Sequence, residues 1–234
     1  MRARALKDIE LQLRNAAAAS GRPEPRLLAV SKTQDATAVA ELADAGQRAF
    51  GENYVQEAAG KAAALAGRGL EWHLIGHLQS NKAPVAARLF DWVQTVDRPK
   101  LVEALARYRG DDRPPLNVLI QVNIDDEASK HGCQPGDVPA LAKAIAAQPR
   151  LCLRGLMVIP TPHPDPEQRR DAFRRTHALF DALRAGHPTV DTLSMGMSDD
   201  HPIAIAEGAT MVRIGTALFG RRESRDRGPG AGDP

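Results

Sequence analysis

Eight short apolar or β-branched runs recur along the chain, at 26–31, 48–51, 71–76, 91–96, 116–123, 153–158, 190–195 and 210–214, with helical patterning between them. Strands alternating with helices in this way form parallel βαβ units. Eight of them in one uninterrupted chain predict a closed (β/α)8 TIM barrel. The competing architecture is a flavodoxin-like sheet with an extra lobe. No linker separates two lobes, because the proline-rich stretch 160–166 directly follows the sixth run and reads as a stiff loop. Helices are predicted at 36–45, capped by Asp35 and stopped by Gly46, and at 54–66, stopped by Gly67. Others are predicted at 81–89, 99–108, 137–147, 167–185 and 200–207. Leu6, Ile9 and Leu13 stand at helical spacing among charges, which predicts an extra amphipathic N-terminal helix. One domain is expected over 1–221, followed by a disordered, charged and Gly/Pro-rich tail at 222–234.

The 234 residues are enough for one large core. The 31 Lys and Arg residues nearly balance 29 acids, so a net charge of +2 gives no broad electrostatic case for nucleic acid or an anionic membrane. The first twenty residues lack the continuous apolar core of a signal peptide, and no run reaches transmembrane length. Cys133 and Cys152 fit neither a disulfide framework nor a zinc spacing, which favours a reducing compartment and a cytoplasmic protein. Seven histidines without recognisable spacing predict no metal. P-loop, G-x-G-x-x-G, H-E-x-x-H and G-x-S-x-G motifs are missing.

Barrel enzymes carry their chemistry at the carboxyl ends of the strands. Here those ends are polar: Lys32, then Glu52 and Asn53, then His73 and His77, Asp97, Asn123, Ser198 and Arg213. A lysine leaving a buried strand is a candidate for Schiff-base chemistry with an aldehyde, unless it simply snorkels into water. In Met211 to Phe219 a strand passes through Gly215 and Thr216 into a short helix, whose free amides would suit a phosphate. Tight strand–helix packing is the plainer reason for the glycine. Ser198 could add a hydroxyl. Arg213 either points into the mouth, where it would keep a pyridine nitrogen unprotonated, or pairs with a buried acid such as Asp97 or Glu52. Asn53 either binds a ring substituent or caps the helix that starts at Tyr54. His73 reads as a core histidine, Asp199 and Asp200 as helix caps, and Asp125, Asp126 and Glu127 as a solvated loop. Met157, Met195 and Met197 read as core.

The segments Leu28–Thr33, Gly51–Glu57, Trp72–Lys82, Ser194–Asp200 and Met211–Phe219 closely resemble the pyridoxal phosphate homeostasis protein family. The resemblance runs in order from about Leu6 to Arg221. It implies a barrel similar to the amino-terminal domain of alanine racemase, with pyridoxal phosphate held as a Schiff base on the lysine of Ser31-Lys32-Thr33. It also implies phosphate on Ser198, Gly215 and Thr216, Arg213 facing the pyridine nitrogen, Asn53 lining the ring, and a monomer. Family members are regarded as carriers or regulators of the cofactor without established catalysis, so apo-enzymes that need it are the implied partners. The alternatives are an amino-acid racemase or decarboxylase using Lys32 with Tyr54 or His73, and a cofactor-free barrel forming Schiff bases with sugar phosphates.

Overall fold

A strand in a closed barrel is covered by helices on one side and by the barrel interior on the other, so both its faces are buried. That pattern holds in the computed structural model, which describes residues 1–220. The strands are β1 (Arg26–Val30), β2 (Ala49–Glu52), β3 (Glu71–Leu74), β4 (Trp92–Val96), β5 (Leu116–Val122), β6 (Leu151–Val158), β7 (Thr192–Ser194) and β8 (Met211–Ile214). They pair in parallel in chain order, and β8 closes on β1 with Leu28 opposite Arg213 and Ala29 opposite Ile214. The (β/α)8 expectation is borne out and the flavodoxin-like alternative is not. The tail expected at 222–234 lies outside the described residues.

The helices follow the expected intervals. They are α1 (Arg2–Ala19), α2 (Ala36–Asp44), α3 (Val55–Ala64), α4 (Ala83–Leu89), α5 (Pro99–Tyr108), α6 (Val138–Ala146), α7 (Pro166–Gly186), α8 (His201–Ala206) and α9 (Thr216–Phe219). Asp35 caps α2 as anticipated, its carboxylate accepting from the Ala38 amide at 2.7 Å.

Alternation along the strands sorts their side chains into two environments. Leu27 and Ala29 join the large apolar layer between strands and helices, while Leu28 belongs to a small separate cluster with Ala49 and Met211. Trp92, Leu119 and Met157 form another such cluster. These two clusters fill the barrel interior together with His73, Gln94, Ser194 and Arg213, all buried. The interior is therefore unusually polar.

Helix α1 packs against α2, α8 and α9, across the β8–β1 seam. Leu6, Ile9 and Leu13 are all buried, which is why the amphipathic spacing was so regular. Leu13, 1% exposed, anchors this brace. Leu13→Ala is expected to cost about 3 kcal/mol, read as a lower urea midpoint at unchanged slope.

Candidate functional site at the barrel mouth

Lys32 follows β1 and is half-buried at the mouth. The residues on either side of it are fastened to a buried ionic cluster. The Ser31 hydroxyl donates to Glu52 Oε1 at 2.5 Å, and the Ser31 carbonyl accepts from Lys61 Nζ at 2.7 Å. Lys61 also donates to Glu52 and Glu57, each at 2.7 Å. Glu57 in turn accepts from the Thr33 amide at 2.5 Å. Thr33 has φ +66°, a left-handed conformation that a β-branched residue adopts only when its surroundings impose it. Lys61 and the two glutamates supply that constraint, so the cluster sets where the Lys32 side chain departs. Burial raises the Glu52 carboxyl above the ordinary range, against the pull of Lys61 and Ser31.

Lys32 and Val30 line a small cavity of about 80 Å³ with Gly215 and Thr216, at the start of α9. A Cβ at position 215 would lie 3.3 Å from the Val30 carbonyl oxygen, so glycine permits the close approach of β8's end to β1. The first amides of α9 have no helical carbonyl to bond and are free to hold an anion.

Arg213 is 4% exposed and pairs with neither Asp97 nor Glu52, so the ion-pair alternative fails. It donates instead to the Val158 carbonyl and to the Ser194 hydroxyl, each at 2.8 Å. Ser194 donates to Gln94 Oε1 at 2.7 Å, the Gln94 amide donates to His73 Nδ1 at 3.0 Å, and His73 Nε2 donates to Glu71. Every donor in this chain points the same way, which requires the neutral Nε2–H tautomer of His73. Burial, which holds the imidazole pKa below its usual range, agrees with that tautomer. Burial alone would raise Glu71, but hydrogen bonds from His73 and Arg26, with the charge of Arg26, bring it down to about 2. Burial also lowers Arg213 to about 10, which leaves it charged at neutral pH. The polar chain thus crosses the barrel and fixes the orientation of the guanidinium.

The remaining expected residues are less constrained. Asn53 is half-buried and lines a separate cavity of about 410 Å³ with Tyr54, Gly76 and His77. Its capping alternative fails, because the residue before α3 is Tyr54. Gly76 packs so tightly that a Cβ there would meet the Asn53 carbonyl oxygen at 2.2 Å, which fixes the Asn53 backbone. Ser198 is half-buried between β7 and α8, and its carbonyl oxygen lies 3.2 Å from His201 Nδ1. Neither it nor Asn53 lines the Lys32 cavity. Asp200 stands at the N-cap position of α8 as expected, but its side chain makes no capping bond and accepts from the Met197 amide at 2.6 Å instead, bracing the preceding loop. Met157 and Met195 are core as expected, but Met197 is 36% exposed because its loop turns outward. The run Asp125 to Glu127 is not simply solvated. Asp125 accepts from the Thr161 amide at 2.7 Å and from Arg175 at 2.8 Å, tying the loops after β5 and β6 together. Burial and the facing His131 depress the His77 pKa.

Lys61, Glu57 and Gln94 are functional residues with no individual motif in the sequence. The available signal for Lys61 was its position on the apolar face of α3, three residues after Ala58, where a lysine needs an acid.

Residues 5–223 match the family model of the alanine racemase N-terminal domain. An alanine racemase structure from Clostridium difficile superposes with TM-score 0.66 at 16% identity, over 94% of this chain and 58% of that one, a likeness of fold. A Pseudomonas aeruginosa relative, named pyridoxal phosphate homeostasis protein, is 53% identical over 217 residues, 92% of this chain and 93% of its own. The structure of PipY from Synechococcus elongatus, described with PLP bound, superposes with TM-score 0.82 at 38% identity, over 94% of this chain and all of that one. The chain belongs to the alanine racemase N-terminal-domain family, and within it to the pyridoxal phosphate homeostasis proteins. Among the described residues no helix is long and apolar enough to cross a membrane.

Two outcomes are expected from the buried groups. Lys61→Met strands the Glu52 charge and should cost about 3–5 kcal/mol, whereas Lys61→Met with Glu52→Gln should recover part of the loss in urea titrations. Glu71 has its pKa lowered on folding, so its contribution is present above the ordinary glutamate range and fades as pH falls towards about 2. The stability gap between the native chain and Glu71→Gln should therefore be about 2 kcal/mol at pH 7 and close progressively in acid.

Proposed function

We propose that this chain holds pyridoxal 5'-phosphate through a Schiff base to Lys32 and serves vitamin B6 homeostasis by storing or delivering the cofactor. The observation that carries this reading is the shared cavity, in which a primary amine faces the Gly215–Thr216 helix start. The cofactor supplies an aldehyde for an amine and an anion for backbone amides, and both partners are present there. Two relatives support the reading: the Pseudomonas protein by its name, and PipY by its description with PLP bound. In this reading Gly215, Thr216 and Ser198 take the phosphate, Asn53 lines the ring, and Arg213 faces the pyridine nitrogen. A guanidinium locked by Ser194 and Val158 can only donate, which keeps that nitrogen unprotonated and weakens the ring as an electron sink.

The non-catalytic role rests on how poorly His73 and Tyr54, the two second bases weighed for Lys32, fit that task. His73 is fully buried, with both ring nitrogens engaged in the interior chain. Tyr54 is 63% exposed at the rim, where water competes for any proton it carries. Lys32 is only half-buried and Tyr54 is exposed at this rim, which favours transfer of the cofactor to apo-enzymes over control of a reacting carbanion. We place this work in the cytoplasm, by a monomer of one domain.

The freshly purified full chain should show the visible absorbance of a lysine-bound pyridoxal phosphate, and Lys32→Ala should lose it. Borohydride reduction followed by peptide mass mapping should put the label on Lys32. A colourless protein, or a label elsewhere, overturns the reading. Exchange of an amino acid's α-proton in deuterated water would favour the racemase or decarboxylase alternative.

A further inference from the structure

On the far side of the mouth from the β8–β1 seam, three side chains converge that the Lys32 site does not use. His77 follows β3, Asp97 follows β4, and His131 lies in the loop after β5. Their ligand atoms all lie within 4.8 Å of one another. The two imidazoles stack with centroids 3.8 Å apart and planes 15° from parallel.

The backbone around the trio holds these donors together. The loop carrying His131 folds back onto β5, with the Cys133 amide donating to the Gln121 carbonyl at 2.9 Å and the Asn123 amide donating to the Cys133 carbonyl at 2.9 Å. Gly132 makes the fold-back possible: its φ is +122°, and a Cβ there would lie 2.6 Å from the Asn123 nitrogen. Asp97 is oriented from behind by Arg98, which binds its Oδ1 at 2.5 Å and also donates to the Leu78 carbonyl at 2.9 Å. Arg98 thereby ties the carboxylate to the residue that follows His77. This is the role an outer partner plays for a ligating group, and the bond is made at one carboxylate oxygen, Oδ1.

We infer that His77, Asp97 and His131 form a binding site for a divalent late transition-metal ion of the zinc class. Two imidazoles and one carboxylate suit zinc, nickel or cobalt and not magnesium or calcium, which take oxygen ligands. Metal–ligand bonds of about 2.0–2.1 Å put tetrahedral donors roughly 3.3 Å apart, so rotation of the exposed rings suffices to close the present spread. Three protein donors leave a fourth position for water or an incoming ligand, at the edge of the 410 Å³ cavity that His77 lines. The fixed positive charge of Arg98 offsets that of the carboxylate, which points to a reversibly held ion.

Isothermal titration of the tag-free full chain with Zn²⁺ tests the site. One ion per chain is expected, with binding weakened at least about tenfold in each of His77→Ala, His131→Ala and Asp97→Asn. His163→Ala, in the loop after β6, should leave it unchanged. Both histidines of the site are exposed, so these variants should keep the native circular dichroism. Titrating Lys32→Ala separates this inference from the cofactor reading, because stoichiometric binding should persist there. No saturable binding, or binding that survives the double variant His77→Ala/His131→Ala, overturns the inference.

Discussion

Closure of β8 onto β1 is the constraint on which the candidate site depends. The parallel register that sets Leu28 against Arg213 and Ala29 against Ile214 brings the exits of both strands to one height on the rim. Lys32 and Gly215, far apart in the chain, become walls of one cavity for that reason alone. An open sheet with the same eight strands would have left β1 and β8 at different places and Lys32 away from Gly215 and Thr216. The α1 helix has a structural purpose in this light: packed against α2, α8 and α9, it covers the seam where the site is assembled.

The interior of the barrel supplies the second requirement, a fixed frame. Burying arginine, histidine and glutamine in place of aliphatic side chains costs desolvation, and it is tolerable only when every polar atom finds a partner. The run from Arg213 through Ser194, Gln94 and His73 to Glu71 meets that condition with a consistent direction of donation. The cluster under Lys32 does so less completely, since Glu52 Oε2 is buried without a partner. A carboxyl with a raised pKa and one unsatisfied oxygen is what burial imposes when a single lysine serves two glutamates. The strained Thr33 backbone adjoins this cluster, so a local energetic cost falls on the residue next to Lys32.

The strand and helix periods were legible because a barrel demands them locally: each apolar run and each amphipathic stretch reports its own burial. Lys32, Gly215 and Thr216 were legible as a set because each stands at a strand exit, and the barrel rule says where strand exits meet. Their roles toward a cofactor came from the resemblance. What stayed hidden was pairing across the barrel. Gln94 has no local signature, since only closure places it between Ser194 and His73. A buried arginine suggests an acid as its partner, whereas neutral oxygens of Ser194 and Val158 satisfy Arg213. The charged run at Asp125 resembled a solvated loop because Thr161 and Arg175, which order it, come from the next βα unit.

The same limit explains why the histidines conveyed no metal site. Metal spacings are readable in sequence when ligands share one helix or one tight turn, as in H-E-x-x-H. His77, Asp97 and His131 come instead from three successive βα units, and their convergence depends on Gly132 folding a loop back over β5. A barrel rim favours such assemblies, since eight neighbouring exits each contribute a side chain without any fixed interval between them. In this chain Lys32, Gly215 and Thr216 gather at the β8–β1 seam, while two imidazoles gather across the mouth. Two chemically different halves of one rim follow from strand order alone.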